Sequence, residues 1–419
     1  METHYQILII GAGTAGIMTA AQLKKKDSSL EIAIIDPSEK HYYQPAFTLV
    51  GAGVYDKQKT IRYTKDLIPR GVDWIKDEVI TVNAAQNSLL TAAYGEFTYD
   101  YLVICPGLVN DLSLIEGLED AVNKGVVCSN YIDPEYTWKL LQEFKGGTAI
   151  FTQPNTPIKC GGAPQKIMYL ACEYFKQKGI DKKTKVYFPM PGSVIFGVKI
   201  IAETLMEVIH RHDIDFMPFH NPIRIDADQR KAYFKLTNTQ DNHCFVTTDL
   251  DHIRQLEDGI VEMEFDFLHL APPQTAPLFI KNSNLVNNNG WLDVDLHSMR
   301  HKSFANVFGL GDVAGLPTAK TGAAVRKQVP VVVDNLYKLI KGKEADNFDY
   351  EGYSSCPLVT GYGKMVLAEF NYKNEFIPDP KLKQMLIKDS SKEHWRLWAL
   401  KKYILPYLYW NKMMKGEQV

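Results

Sequence analysis

The stretch Gln6-Ile-Leu-Ile-Ile10 runs into Gly11-Ala-Gly13-Thr-Ala-Gly16, and then into a helical pattern with Ile17, Ala20, Ala21 and Leu23 on one side. An apolar run of strand length, three glycines at this spacing and a following helix form a phosphate-binding turn. Two glycines let the backbone bend and approach a pyrophosphate, the third lets helix and strand pack closely, and the helix N-terminus supplies positive potential. A second apolar run, Glu31 to Ile35, ends in Asp36, at the distance from the glycines where an acid accepts hydrogen bonds from ribose hydroxyls. The glycine spacing alone is weak evidence, but its place between strand and helix and the acid after it make dinucleotide binding the expectation for Gly11, Gly13, Gly16 and Asp36.

Two later segments say which dinucleotide. Phe304-Ala-Asn-Val-Phe-Gly-Leu-Gly311-Asp312 reads as a strand that delivers an aspartate beside glycines, just before Pro317-Thr-Ala-Lys320-Thr-Gly322. That element resembles the FAD ribityl contact of the two-dinucleotide-binding flavoproteins. Tyr99-Asp-Tyr-Leu-Val-Ile-Cys-Pro-Gly107 is similar to the crossover strand of the same superfamily, with Cys105-Pro106 in place of smaller residues. The resemblance implies an α/β fold of two Rossmann-like domains and FAD as cofactor. The FAD-binding domain is expected to be discontinuous, over 1–110 and 276–330. A second Rossmann-like domain is expected over 111–275, and a C-terminal membrane-associating region over 331–419.

Within the second unit, Thr148–Thr152 and Val186–Phe188 read as strands and Phe265–Leu270 as the return strand. A pyridine-nucleotide enzyme needs another glycine loop after the first of these, because the diphosphate again requires bare backbone at a helix start. The chain instead carries Pro154, Pro157 and Cys160. The missing loop argues against NADH as the reductant.

The chain has 419 residues, 45% apolar and 23% charged, enough to bury the cores of two or three domains. A net charge of -2 gives no reason to expect nucleic acid. Six cysteines without framework spacing suit a reducing compartment, and the start at Met1 shows no basic region or cleavage site, so the protein is expected to stay inside the cell. No window of about twenty apolar residues is present. Residues 395–415 interleave Trp395, Trp398, Tyr403, Tyr407 and Trp410 with Lys401, Lys402, Lys412 and Lys415, on short helices that Pro406 is expected to break. Such a pattern suits a lipid headgroup region, where indole and phenol rings find both apolar and polar surroundings. The expectation is a peripheral, monotopic protein at the cytoplasmic face of a bacterial inner membrane. The same tail also reads as one packed on the domain core or on a second copy in a homodimer.

Cys160 precedes Gly161-Gly162-Ala163-Pro164 and an amphipathic helical run, so it lies at or just before a helix N-terminus, which favours a thiolate. Lys159 beside it is expected to add positive potential. Cys356, in Ser354-Ser-Cys-Pro357, is expected on an irregular loop. Cys105, Cys172 and Cys244 read as buried structural thiols. His297 and His301 stand four apart, but with no glutamate between them and no third ligand they read as a solvated loop pair, and no metal site is expected.

Phe151-Thr-Gln-Pro-Asn-Thr-Pro-Ile-Lys-Cys160-Gly-Gly-Ala-Pro-Gln-Lys-Ile-Met-Tyr-Leu170 resembles the first active-site cysteine segment of the sulfide:quinone oxidoreductases, of the type that includes the animal mitochondrial enzyme. Gly352-Tyr-Ser-Ser-Cys356-Pro-Leu-Val-Thr-Gly-Tyr362 is similar to the second, and His41-Tyr-Tyr-Gln-Pro45 with Leu49-Val-Gly-Ala-Gly53 to the flavin-proximal segment. The resemblance continues through Asn306–Asp312, Leu316–Thr321 and Leu405–Asn411, and so spans nearly the whole chain.

It implies an FAD-dependent oxidoreductase that oxidises hydrogen sulfide at a Cys160/Cys356 redox pair and passes two electrons to a membrane quinone. Cys356 takes the incoming sulfur and Cys160 faces the flavin, with Lys320 near its pyrimidine end. The sulfane sulfur leaves as persulfide on an acceptor such as glutathione or sulfite, or as polysulfide. Tyr42, Pro45, Tyr362 and Phe370 are the candidate quinone contacts. Many bacterial relatives use a third cysteine near Cys128, but Ser129-Asn130-Tyr131 fits the animal type, and Cys128 reads as a packing residue. The alternatives are a type II NADH:quinone oxidoreductase on the same scaffold, or a flavoprotein that senses sulfide without turnover.

Overall fold

The computed structural model describes residues 2–238 and 252–418; Cys244 lies outside the described residues. The strand His4–Ile10 lies at the centre of a seven-stranded sheet, parallel to Ile32–Ile35 on one side and to Gly95–Ile104 on the other. Val72–Ile75 continues the parallel order, Ser88–Thr91 and Val79–Asn83 add an antiparallel edge, and Val307–Gly309 returns from far along the chain to pair with Gly95–Ile104. Near-continuous apolar runs such as Ile32-Ala-Ile-Ile35 suit strands covered on both faces, and all four of these residues are buried. The glycine turn therefore lies at the carboxyl end of the central strand, where ligands of open α/β sheets bind.

A four-stranded parallel sheet follows, in the order Ile214–Met217, Thr184–Pro189, Gly147–Thr152 and Phe267–Leu270. The chain crosses between the two sheets at Val109–Asn110 and returns at Gln274–Thr275, and these two segments pair with each other. A four-stranded antiparallel sheet of His220–Asp226, Lys231–Leu236, Ile260–Glu264 and Ile253–Leu256 was not legible in the sequence; Pro222 hid its first strand, which is bulged there.

The C-terminal part departs from expectation in three ways. Cys356 is on a regular strand, Ser354–Gly361, which pairs with Lys364–Phe370, so it is held by a hairpin and not a loop. Pro406 does not break the tail: Trp395–Ala399, a π-turn at Leu400–Ile404 and Leu405–Asn411 follow one another directly. Placed in the first turn of the last segment, the ring needs no N–H bond of its own, and the wider π-turn precedes it. Finally, the tail has two destinations. Trp395, Tyr403 and Tyr407 are exposed, whereas Tyr409, Met413 and Met414 enter the core of the first sheet, and Gly416 lies against Ala21 of the phosphate helix.

Candidate active site

Two glycines of the cradle have no substitute. Gly11 has φ +104°, and a Cβ there would sit 2.5 Å from the carbonyl oxygen of Cys105; a Cβ on Gly16 would overlap the Gly11 carbonyl. Gly13 is different, since a Cβ there would meet no atom within 4 Å, and this open face is at the N-cap of the helix Thr14–Lys26. Asp36 accepts from the Ala12 N–H (2.6 Å) and the Ser38 N–H (2.8 Å), so the acid at the second strand end also shapes the turn. Gly107 and Gly311 are left-handed too, at φ +78° and +75°.

Asp312 lies within a short 3-10 turn, Gly311–Val313, and burial raises its carboxyl pKa while Lys320 and Lys159 pull it back. Lys320 donates to the carbonyls of Asp312 (2.6 Å) and Ala314 (3.0 Å) and stands 3.9 Å from the Trp291 ring centre. Buried, it is pushed down to about 8. Gly311, Thr318, Lys320, Thr321 and Gln328 line a small recess. Bare backbone at Gly13, left-handed glycines at two further strand ends and an acid at the third are what a flavin dinucleotide requires, and the residues fit one.

The thiols meet beside this cradle, with Cys160 Sγ and Cys356 Sγ 3.8 Å apart as free cysteines. Cys160 is in the left-handed region at φ +53°, which a non-glycine residue adopts at a cost. Three hydrogen bonds hold it there: its N–H donates to the Lys320 carbonyl (2.8 Å), and its carbonyl accepts from the Ala163 N–H (2.7 Å) and the Tyr131 hydroxyl (3.3 Å). The first of these ties the thiol segment to the cradle. From the other side, Cys356 Sγ lies against Gly162, where an added Cβ would be 2.7 Å from the sulfur.

The charge on the pair is uneven. The Cys160 thiol is held well below the ordinary thiol range by the hydrogen bond it takes from Cys356 and, against burial, by the ammoniums of Lys166 and Lys401. Cys356, which gives that hydrogen bond and is buried, is pushed well up. Lys166 Nζ donates to Cys160 Sγ at 2.9 Å from within the helix Ala163–Gln177. Lys159, the cation expected from sequence, turns elsewhere: burial lowers its pKa, and the charge it faces is Asp312. The partner, Lys166, is in the first turn of the helix Ala163–Gln177, a position that reading along the chain gives no reason to prefer over the adjacent lysine. Lys401 and Tyr131 also escaped the sequence reading, the first within the aromatic tail and the second beside Cys128.

The candidate quinone residues are only partly brought together. The Pro45 carbonyl accepts from Lys401 Nζ (3.0 Å), and Tyr42 packs edge-on against Phe47. The Tyr362 hydroxyl donates to the Ala52 carbonyl, while Phe370 is buried against Phe196. Cys105, Cys128 and Cys172 are buried, with thiols raised by that burial, Cys128 to about 12. His301 is not solvated: it is buried, with Nε2 3.1 Å from the Leu285 carbonyl and Nδ1 accepting from the Ser303 N–H. His297 is exposed and bonds the Tyr350 carbonyl. Among the described residues no helix is long and apolar enough to cross a membrane.

Residues 5–140 match the model of the pyridine nucleotide-disulphide oxidoreductase family. Over 417 residues the chain is 38% identical to "Sulfide:quinone oxidoreductase, mitochondrial" of Mus musculus, covering 99% of this chain and 87% of the mouse protein. It is 37% identical to the protein of the same name from Dictyostelium discoideum, over 98% and 86% of the two chains. The crystal structure of the sulfide:quinone oxidoreductase of Aquifex aeolicus superposes with a TM-score of 0.75 at 18% identity, covering 99% of this chain and 92% of that one, and so shares the fold.

Proposed function

The chain belongs to the sulfide:quinone oxidoreductase family, and on that footing we propose that Cys160 and Cys356 are the redox pair through which it oxidises sulfide and reduces quinone. The observation that carries the assignment of the pair is the contact of the two sulfurs beside the cradle, with one of them charged by Lys166.

The first step is thiol–disulfide exchange. With the pair oxidised, hydrosulfide attacks the Cys356 sulfur, the Cys356–Cys160 bond breaks, Cys356 carries the new persulfide and Cys160 leaves as thiolate. Charge is conserved, and the thiolate forms where Lys166 already holds it. The lower-pKa thiol is the better leaving group, which is why Cys356 is assigned the sulfur. FAD, held by Gly11, Gly13, Gly16, Asp36, Gly107, Gly311, Asp312 and Lys320, supplies when bound a two-electron acceptor that can pass the pair on to quinone. The sulfane sulfur then leaves to glutathione, sulfite or a polysulfide. Tyr42, Pro45, Tyr362 and Phe370 remain the proposed quinone contacts, and the exposed aromatic side of the tail the proposed lipid contact, at the cytoplasmic face of a bacterial inner membrane.

The test is steady-state reduction of a soluble quinone by sulfide. Cys160→Ser and Cys356→Ser should each abolish turnover while flavin stays bound, and wild-type rates in either variant would refute the pair. Anaerobic flavin bleaching by NADH but not by sulfide would instead favour the NADH:quinone reading; a single reduction without turnover would favour a sensor. Repeating the assay with glutathione or sulfite identifies the acceptor.

A further inference from the structure

We propose that Lys401, carried inward by the π-turn of the C-terminal tail, is the second cation of the thiol chamber and with Lys166 forms the place that receives sulfide as the hydrosulfide anion. The proposal rests on the reading of Cys160 and Cys356 as the redox pair.

The tail turns two faces in opposite directions at this point. Tyr403, Ile404 and Tyr407 are exposed, and Lys402 lies over the rings of Trp398 and Tyr403, while Lys401 is 3% exposed. A buried ammonium is costly unless an anion compensates it. Lys401 has one neutral hydrogen-bond acceptor, the Pro45 carbonyl at 3.0 Å, and among the described residues no carboxylate within ion-pair distance. The charges it senses are Lys166, which repels it, and the sulfurs of Cys160 and Cys356, which attract it. The groups facing Cys160 are Cys356, Lys166, Lys401 and Tyr131, with Asp312 and then Lys159 and Lys320 behind. Two ammoniums thus converge on a pair whose reduced form carries one negative charge on Cys160. The oxidised pair carries none, so neither lysine then has a thiolate beside it, and an entering anion is what favours the charged form of Lys401.

A small anion completes that state. When hydrosulfide attacks Cys356, one negative charge moves from the incoming sulfur to Cys160 as the old S–S bond breaks and the new one forms. No proton is gained or lost, and the charge stays in the field of both lysines throughout. Neutral hydrogen sulfide would bring no charge to offset them. With the pair reduced, burial and Lys166 hold the Lys401 ammonium down to about 7 although the sulfurs raise it, so its charge depends on an anion beside it.

The test reads the field directly and then the substrate. Alkylation of Cys160 by iodoacetamide, a neutral reagent, is followed by mass spectrometry between pH 5 and 8 on reduced holoenzyme, for wild type, Lys401→Met and Lys401→Arg. Lys401→Met should slow alkylation at pH 6 about threefold, as loss of a screened nearby charge requires, and raise the KM for sulfide. Lys401→Arg, which keeps the charge, should stay within about twofold of wild type in both. The melting temperature of Lys401→Met should hold or rise, because an uncompensated charge has been removed. An unchanged alkylation profile, or an unchanged sulfide KM, overturns the proposal; a fall in melting temperature with an unmoved profile shows a structural strut. Should wild type fail to oxidise sulfide, the reading of the redox pair falls, while the alkylation profile still decides whether Lys401 charges the chamber.

Discussion

Gly162→Ala separates the geometry of the thiol pair from its chemistry. Gly162 has φ −85° and ψ −1°, a conformation alanine adopts without strain, so the backbone offers no objection. The side chain does: its methyl carbon would stand 2.7 Å from Cys356 Sγ and 2.4 Å from Leu358 Cδ2, both on the hairpin strand. Contacts between such atoms relax to about 3.5–4.0 Å, so the hairpin must back away by roughly 1 Å. Overpacking of this kind costs about 1–3 kcal/mol. The sulfurs, now 3.8 Å apart, have to close to about 2.05 Å to form a disulfide, and the shift opposes that closure. A displacement of about 1 Å at reacting atoms is worth on the order of 100-fold in rate. Sulfide-dependent quinone reduction should fall by that order, and diamide should oxidise the Cys160–Cys356 pair more slowly, as followed by loss of free thiols. The control is Gly161→Ala, whose Cβ would meet nothing within 4 Å. If the two variants turn over and oxidise alike, the close approach of Cys356 to Gly162 has no part in the reaction.

Three further outcomes follow from the same contacts. Lys166→Met removes the cation 2.9 Å from Cys160 Sγ, so at pH 6.5 alkylation of Cys160 should slow by about tenfold or more, with rates converging at alkaline pH. Tyr409→Phe deletes a hydroxyl that bonds both the Thr14 hydroxyl (2.7 Å) and His41 Nε2 (2.5 Å), leaving buried groups unpaired beside the glycine turn at about 1–3 kcal/mol; flavin fluorescence on dilution should show severalfold faster cofactor loss. The third concerns stability. With Lys401 at about 7 in the folded protein against an ordinary 10.5, the folded state binds fewer protons across that window, so stability rises with pH through it. Chemical denaturation of Lys401→Met against wild type should show a stability advantage for the variant at pH 6 that shrinks towards pH 9; a constant difference would contradict the burial of a charged Lys401.

The tail shows why part of the site could not be read along the chain. Its aromatic and basic composition is that of a lipid-facing segment, and Trp395, Tyr403 and Tyr407 are indeed exposed. Composition does not say that Tyr409 and Met413 enter the first core, because burial depends on which helix face meets which surface after folding. Lys401 and Lys402 are adjacent and identical in type, yet one is buried towards the sulfurs and the other lies over exposed rings.

Local backbone needs account for part of the glycine turn: Gly11 has a positive φ and Gly16 lies against the Gly11 carbonyl, whereas Gly13 is left open for a ligand, and the spacing of the three between a strand and a helix is legible without a fold. The cysteine pairing was legible only through likeness to a family. Which cation charges Cys160, how Cys356 is held and what the tail turns inward were decided by tertiary structure. Electrostatic fields act across space, and Lys166, Lys401 and Cys356 reach Cys160 from a helix, a tail and a hairpin whose packing no local pattern encodes.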